Sequence, residues 1–197
     1  MTRANDCHSP ARCRKKDLLR RQALARRKAM SDVERIEKSL LLADYADGLP
    51  IADSAVVAGF WPIREEIDPR PLLDCLRQKG HTLCLPVVAE PYLVFRKLER
   101  DADLVPVGFG TMAPGPAAQA VRPDVLLMPL AGFDNAGNRI GYGKGHYDKV
   151  ITALEETGPL LCIGLAFSEQ EVDRVPVEAH DKPLNGILTE QGYRAFG

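Results

Sequence analysis

The sequence predicts a single three-layer α/β domain with a mostly parallel central sheet. Short apolar runs recur at 55–60, 82–85, 125–128 and 160–167, nearly unbroken by polar residues, as in strands covered on both faces. Segments rich in helix formers alternate with them, the pattern of helices laid on a parallel sheet. A chain of 197 residues, 45% hydrophobic and 27% charged, is long enough for one buried core and short for two.

Residues 1–13 have no apolar periodicity and read as disordered, which leaves 14–197 as the domain. RKKDLLRRQALARRKA (14–29) consists of strong helix formers. Ser31 and Glu34 have capping-box spacing and start a second helix, with Val33, Ile36 and Leu40 as its expected buried stripe and Gly48 and Pro50 as its stop. The strand at 55–60 closes at Trp61-Pro62. Asp68 as cap and Pro69 in the first turn open a helix that runs to Lys79 and Gly80. The strand at 82–85 closes at Pro86, and 92–98 alternates as a half-exposed, antiparallel strand would. Residues 106–124, rich in Pro and Gly, read as a long ordered loop or one lying across a site. A strand at 125–128, a helix at 144–156, a strand at 160–167 and a short strand at 187–189 complete the chain. Ligands of such sheets bind beyond the carboxyl ends of strands, so 61–68, 129–145 and the segment after Phe167 should converge on one rim.

No apolar run approaches the roughly 18 residues of a membrane helix, and MTRANDCHSPARCRKK lacks the apolar core of a secretory signal. Five scattered cysteines without a C-x-x-C pair read as reduced, mostly buried thiols of a cytoplasmic protein. His8, His81 and His180 lack metal or triad spacing and read as surface residues. Charge is uneven. Residues 1–38 carry a net +7 and the remainder −8. A polyanion partner and a basic helix docked on its own acidic body both fit that asymmetry.

The chemistry concentrates at 128–148, MPLAGFDNAGNRIGYGKGHYD. Four glycines (Gly137, Gly141, Gly143, Gly145) share nine residues with Arg139 and Lys144. Backbone amides unobstructed by a Cβ, with fixed positive charge beside them, suit polyphosphate. A nearby carboxylate can hold the Mg²⁺ that accompanies nucleotide phosphates. The string is not a Walker A loop, because Asn138 stands where the first glycine belongs and Gly145 follows the lysine. Asp134, in D-N-A-G, reads as a turn former rather than a ligand.

FDNAGNRIGYGKGHYDK closely resembles the signature of the 5-formyltetrahydrofolate cyclo-ligase family, an apolar strand and Pro followed by F-D-x-x-G-x-R-L-G-x-G-x-G-Y-Y-D. KKDLLRRQALARRKAMS, WPIREEIDPRPLL and VPVEAHDKPLNGILTE resemble three further family segments in the same order, so the likeness spans 14–192. His146 departs from the first of two aromatics, and Ala113-Pro114 stands where many members have Glu-Pro. The resemblance implies a CoA-transferase-like α/β fold and an enzyme that uses ATP and Mg²⁺ to convert 5-formyltetrahydrofolate to 5,10-methenyltetrahydrofolate through a phosphorylated formyl oxygen.

The resemblance also distributes roles. Arg139 and Lys144 are the expected catalytic cations. Lys16 and Arg20, one helical turn apart, reach nucleotide phosphates together with the run Arg139, Ile140, Gly141, Tyr142, Gly143, Lys144, Gly145, His146 and Tyr147. Asp148 and Asp181 are the Mg²⁺ ligands. Glu66 accepts from the N–H edge of the pterin, with Tyr147 beside it. Trp61 fits either a flat ligand ring or the core. The expected partners are ATP and 5-formyltetrahydrofolate, bound by a cytoplasmic monomer with no membrane contact. Two rivals stand beside this reading: a relative acting on another formylated heterocycle, such as a thiamine fragment, and a non-catalytic nucleotide- or RNA-binding module. Residues 1–38 hold no aromatic, which argues against nucleic acid.

Overall fold

The computed structural model describes residues 10–89, 92–108, 110–143, 145–178 and 181–196. In chain order the elements are α1 (Pro10–Ala29), α2 (Asp32–Leu41), a 3₁₀ helix (Leu42–Gly48), β1 (Val56–Ala58), α3 (Arg70–Gln78), β2 (Thr82–Ala89), β3 (Tyr92–Lys97), β4 (Leu104–Pro106), β5 (Met112–Pro114), β6 (Val125–Pro129), β7 (Gly132–Phe133), β8 (Arg139–Ile140), α4 (His146–Glu155), β9 (Leu161–Leu165), a 3₁₀ turn (Ser168–Gln170), β10 (Gly186–Thr189) and β11 (Gly192–Ala195). Seven strands form one sheet in the order β11-β10-β9-β6-β1-β2-β3. The five inner strands are parallel, and β3 and β11 pair antiparallel at the two edges.

Period-two alternation divides the apolar residues between two cores. Val125 and Leu127 of β6 face one cluster with Leu42, Leu72 and Leu76, while Leu126 and Met128 face the other with Val150 and Ile151 of α4. Helices therefore cover both faces of the sheet. Strand order reverses at β1, whose neighbours are β2 and β6. The segments after β1 and after β6 flank that crevice, where open parallel sheets receive ligands.

Several expectations are corrected. Residues 10–13 are helical rather than disordered, and the rest of that segment, 1–9, lies outside the described residues. Val33, Ile36 and Leu40 are 64%, 60% and 55% exposed, so the predicted buried stripe of α2 faces outward. Polar anchors decide this orientation. Ser39 accepts from the Asp68 amide at 3.0 Å, and Lys38 pairs with Glu169. The chain then tightens into the 3₁₀ helix, which buries Leu42 and Ala46 instead. His81 is buried, not on the surface, and its Nδ1 has no partner; His8 and His180 lie outside the described residues. Cys75, Cys84 and Cys162 are free, but Cys13 is disulfide-bonded. Burial pushes the Cys84 and Cys162 thiols up to about 12, which keeps them protonated and unreactive.

β4 and β5 pair antiparallel, and the chain after β5 runs along β3, with the Val121 amide donating to the Phe95 carbonyl at 2.9 Å. The segment between β4 and β5 approaches Ile63 in the segment after β1.

The turn at 134–138 joins β7 to β8. Asp134 is 1% exposed, and its carboxylate accepts from the amides of Ala136, Asn138 and Val175 and from the Asn138 side chain, all at 2.8–3.0 Å. The turn-former reading of this residue is the observed one. Gly137 has φ +81°, and a Cβ there would lie 2.9 Å from the Phe196 ring and 3.1 Å from the Leu184 carbonyl oxygen. Gly137→Ala is expected to cost about 2 kcal/mol or more, since left-handed strain and overpacking add. A lowered urea midpoint with unchanged slope would show it.

Candidate functional site

Helix α1 supplies one wall. Leu19, Ala23 and Leu24 pack against Ala131, Ile140, Val172 and Val175, which lays the helix across the β7–β8 hairpin. Lys16, Arg20, Ala23 and Arg27 recur at helical spacing, so one face carries a buried alanine between three cations. All three engage the body of the protein. Lys16 Nζ donates to both carboxylate oxygens of Asp181, at 2.9 and 2.7 Å. Arg20 Nε donates to the Gly141 carbonyl at 2.8 Å. Arg27 Nη1 donates to the Tyr142 hydroxyl at 2.8 Å. Arg26, beside this face, donates to the carbonyls of Glu169 and Glu171.

The glycine-rich loop and the start of α4 supply the second wall. Arg139 Nη2 donates to Asp148 Oδ1 at 2.6 Å, and the Lys182 amide donates to the same oxygen at 3.3 Å. Asp181 Oδ2 also accepts from the Glu178 amide at 2.9 Å. Each of the two predicted metal ligands is therefore paired with a cation that the sequence assigned to phosphate. Ile140 is fully buried, so only its backbone is available to a ligand. Gly143 (φ +92°) and Gly145 (φ +65°) adopt conformations that side chains resist, and Gly145 precedes the first turn of α4, which His146 begins. Lys144 lies outside the described residues.

The segment after β1 supplies the third wall. Glu66 is 8% exposed, and it accepts from the Ile63 amide at 2.9 Å. Burial raises its pKa above the ordinary 4.5, opposed by the nearby Tyr142 hydroxyl, by the Ile63 amide and by the charges of Arg27 and Arg64. Burial and the nearby Glu66 charge also push the Tyr142 and Tyr147 phenols upward. Glu65 is part-buried, 4.0 Å from Arg27. Trp61 packs against Leu85, Val87 and Ala113, and the Arg70 guanidinium lies 5.1 Å from its ring centroid. It thus belongs to the small core under the β4–β5 hairpin.

Three buried side-chain atoms among the described residues have no hydrogen-bond partner, and two are the Nε atoms of Arg27 and Arg139. Unpaired guanidinium donors are costly to bury, and both lie beside the glycine-rich loop. Arg27 is a buried cation of this face that sequence reasoning did not single out. Its signal was the helical spacing from Lys16 and Arg20. Near this wall, Arg12, Lys15, Arg174, Val175, Pro176 and Val177 line a cavity of about 350 Å³.

The described residues hold no cluster of three His, Cys, Asp or Glu, so they build no self-sufficient metal cage. Mg²⁺ commonly binds through only one or two carboxylates, with phosphate oxygens and water completing the shell, so a nucleotide-dependent site needs no such cage. No helix among the described residues is long and apolar enough to cross a membrane.

A profile of the 5-formyltetrahydrofolate cyclo-ligase family matches residues 12–190. The 5-formyltetrahydrofolate cyclo-ligase of Haemophilus influenzae is 32% identical over 139 residues, 67% of this chain and 74% of that protein. That of Mycolicibacterium smegmatis is 28% identical over 185 residues, 89% of this chain and 94% of that protein. The solved structure of Aquifex aeolicus 5,10-methenyltetrahydrofolate synthetase superposes with a TM-score of 0.75 at 30% identity, covering 91% of this chain and 92% of that one. With its motifs, its sheet and nearly its whole length matched, the chain belongs to the 5-formyltetrahydrofolate cyclo-ligase family.

Proposed function

We infer that this cyclo-ligase converts 5-formyltetrahydrofolate to 5,10-methenyltetrahydrofolate with ATP, and that Arg139, Lys144, Lys16 and Arg20 face the nucleotide while Glu66 faces the folate. The formyl oxygen attacks the γ-phosphorus, and the bond to ADP breaks. N10 then attacks the activated carbon, and the carbon–oxygen bond breaks as phosphate departs. An amide oxygen is a weak nucleophile, so alignment matters, and hydroxide is a poor leaving group, which phosphorylation replaces.

The observation that carries the reading is the span of one loop. Arg139 at its start holds Asp148, Gly141 is tied to Arg20, and Tyr142 accepts from Arg27, whose guanidinium lies 4.0 Å from Glu65, the neighbour of Glu66. A triphosphate on this backbone and a pterin on Glu66 would share one cleft. The ion pairs Lys16–Asp181 and Arg139–Asp148 suit a partner exchange on nucleotide entry. Phosphate oxygens would take the cations, leaving Asp148 and Asp181 to hold Mg²⁺. The ion, when bound, supplies charge neutralisation at the β- and γ-oxygens. Arg139 and Lys144 stabilise the charge on the transferring group, Arg139 from a position held by Asp148. Ile140, Gly143, Gly145 and His146 contribute backbone around the phosphates, and Tyr147 lies between the two ligands. Cytoplasmic operation as a monomer is part of the same proposal.

The test is absorbance-monitored formation of methenyltetrahydrofolate with and without ATP. Turnover without ATP would contradict the mechanism. Glu66→Gln is expected to raise KM for 5-formyltetrahydrofolate by roughly 10–100-fold, the worth of a charged hydrogen bond, with KM for ATP little changed. Since the carboxylate must be ionised to accept from the pterin edge, kcat/KM for folate should fall as pH drops through a value above 4.5. A pH profile flat across that range would oppose the assignment.

A further inference from the structure

We propose that Tyr142 tethers the glycine-rich loop to α1 and that Arg27 acts through it: the buried guanidinium grips the phenol oxygen and holds residues 141–143 in the shape that a polyphosphate meets. The proposal rests on the reading of this loop as the nucleotide backbone. It makes Arg27 and Tyr142 positioning residues for that backbone.

Glycine lets the loop approach phosphate closely but gives it nothing to hold itself still. Gly141 and Gly143 have no side chain to pack, and Gly143 takes φ +92°. Glycine segments have the most conformational freedom to lose, and freedom kept before binding is surrendered when the ligand arrives. Ile140, fully buried in the cluster with Ala23 and Val172, fixes the entrance of the loop. Beyond it, Tyr142 is the one side chain between Gly141 and Gly143. The residue is 41% exposed, yet its hydroxyl accepts from Arg27 Nη1 at 2.8 Å. The Arg27 guanidinium carbon lies 6.0 Å from the ring centroid. A half-open ring whose polar tip meets a buried cation is anchored by that tip.

The anchoring has two points. Arg20 Nε donates to the Gly141 carbonyl at 2.8 Å, so consecutive loop residues are each tied to α1. Arg20 and Arg27 stand two helical turns apart on one face, about 10 Å along the axis. One tie fixes a place but leaves rotation about it; a second, displaced along the helix, fixes direction as well.

A role in stability alone fits Arg27 poorly. It is 4% exposed, and among the described residues its side chain makes one hydrogen bond, to Tyr142. Its Nε is buried without a partner, and the carboxylate it pairs with, Glu65, stands 4.0 Å away. A buried cation kept for stability calls for a close, well-hydrogen-bonded carboxylate. Here the close partner is a phenol on a loop.

The test uses full-length protein, with folding at the assay temperature checked by thermal melts. Tyr142→Phe removes one oxygen and keeps the ring. It is expected to lower kcat/KM for ATP about 10-fold or more, the scale of one hydrogen bond to a charged group, with KM for 5-formyltetrahydrofolate little changed. Amide hydrogen exchange across 140–147 should quicken in the ligand-free variant, and a saturating non-hydrolysable ATP analogue should restore protection. Arg27→Lys, which keeps a cationic donor, should retain more activity than Arg27→Met, which keeps only the stem. That difference should vanish in the Tyr142→Phe background, because the two residues act in series. The proposal is overturned by kcat/KM for ATP within about 2-fold of wild type in Tyr142→Phe. It is equally overturned by a loss that disappears once activity is expressed per folded molecule, or by a Lys–Met difference that persists without the Tyr142 hydroxyl. Should Arg27→Met fail to fold, Tyr142→Phe decides alone. Arg139→Ala, measured alongside, separates the two levels. If it impairs turnover of ATP while Tyr142→Phe does not, only the tether falls. If Arg139→Ala itself keeps wild-type kinetics for ATP, the assignment of the loop falls and the tether's role with it.

Discussion

Replacing Arg139 by alanine is expected to lower kcat by about 10²–10³-fold, the usual cost of removing one fixed donor to a charged transition state. Arg139 is held in place before any ligand arrives. Its side chain is 8% exposed, its position is set by the β7–β8 hairpin, and Nη2 is aligned by Asp148 at 2.6 Å. A donor that does not need to reorganise contributes most when charge develops during the reaction. The buried, unpaired Nε shows that the site is built with spare donor capacity. Stability should suffer less than activity, because Asp148 keeps its Lys182 amide contact and is partly exposed. Asp148→Asn should instead raise the Mg²⁺ concentration needed for half-maximal rate. Since Arg139 and Asp148 touch, their effects should not simply multiply. Single-turnover kinetics with ATP and 5-formyltetrahydrofolate separate chemistry from binding. A folded Arg139→Ala protein with near-wild-type kcat would remove Arg139 from the mechanism.

The second large effect concerns stability. Asp134→Ala strips the acceptor from three amides and one side-chain amide in a site that is 1% exposed. Each buried donor left without a partner costs about 1–3 kcal/mol, so a loss of roughly 3–5 kcal/mol is expected. Asn is no conservative choice here. Its amide nitrogen would face the donors Asn138 Nδ2 and Val175 N that Oδ2 now satisfies. Urea unfolding of the two variants should show both well below wild type, with any residual activity lost in parallel with folded population. A variant as stable as wild type would mean that water reaches the turn.

Local pattern carried much of the architecture. The apolar runs at β1, β2, β6 and β9 were visible because a strand covered on both faces has no polar residue to hide. The alternation of β3 gave its antiparallel edge position, while β11 was missed because Gly192–Ala195 is short, half-exposed and carries Arg194. The capping of α2 by Ser31 was legible, with the hydroxyl accepting from Glu34 at 3.2 Å. The face that α2 buries was not. Periodicity identifies an apolar stripe but not what lies opposite it, and here Lys38, Ser39 and Leu42 found partners that Val33, Ile36 and Leu40 did not.

The same division runs through the cleft. The family signature in the glycine-rich loop and the placing of Lys16 and Arg20 on one face of α1 were readable because they depend on residues close in sequence. Asp181 meeting Lys16 across 165 positions, and Arg27 reaching Tyr142 across 115, were not, because nothing local constrains them. By itself the sequence determined the family and the α/β class, since these follow from short-range spacing and chemistry. Tertiary structure alone decided which cation meets which carboxylate and which helix face turns inward. Those choices are made by competition among distant partners for the same buried space, and the free energy of that competition is absent from any single segment.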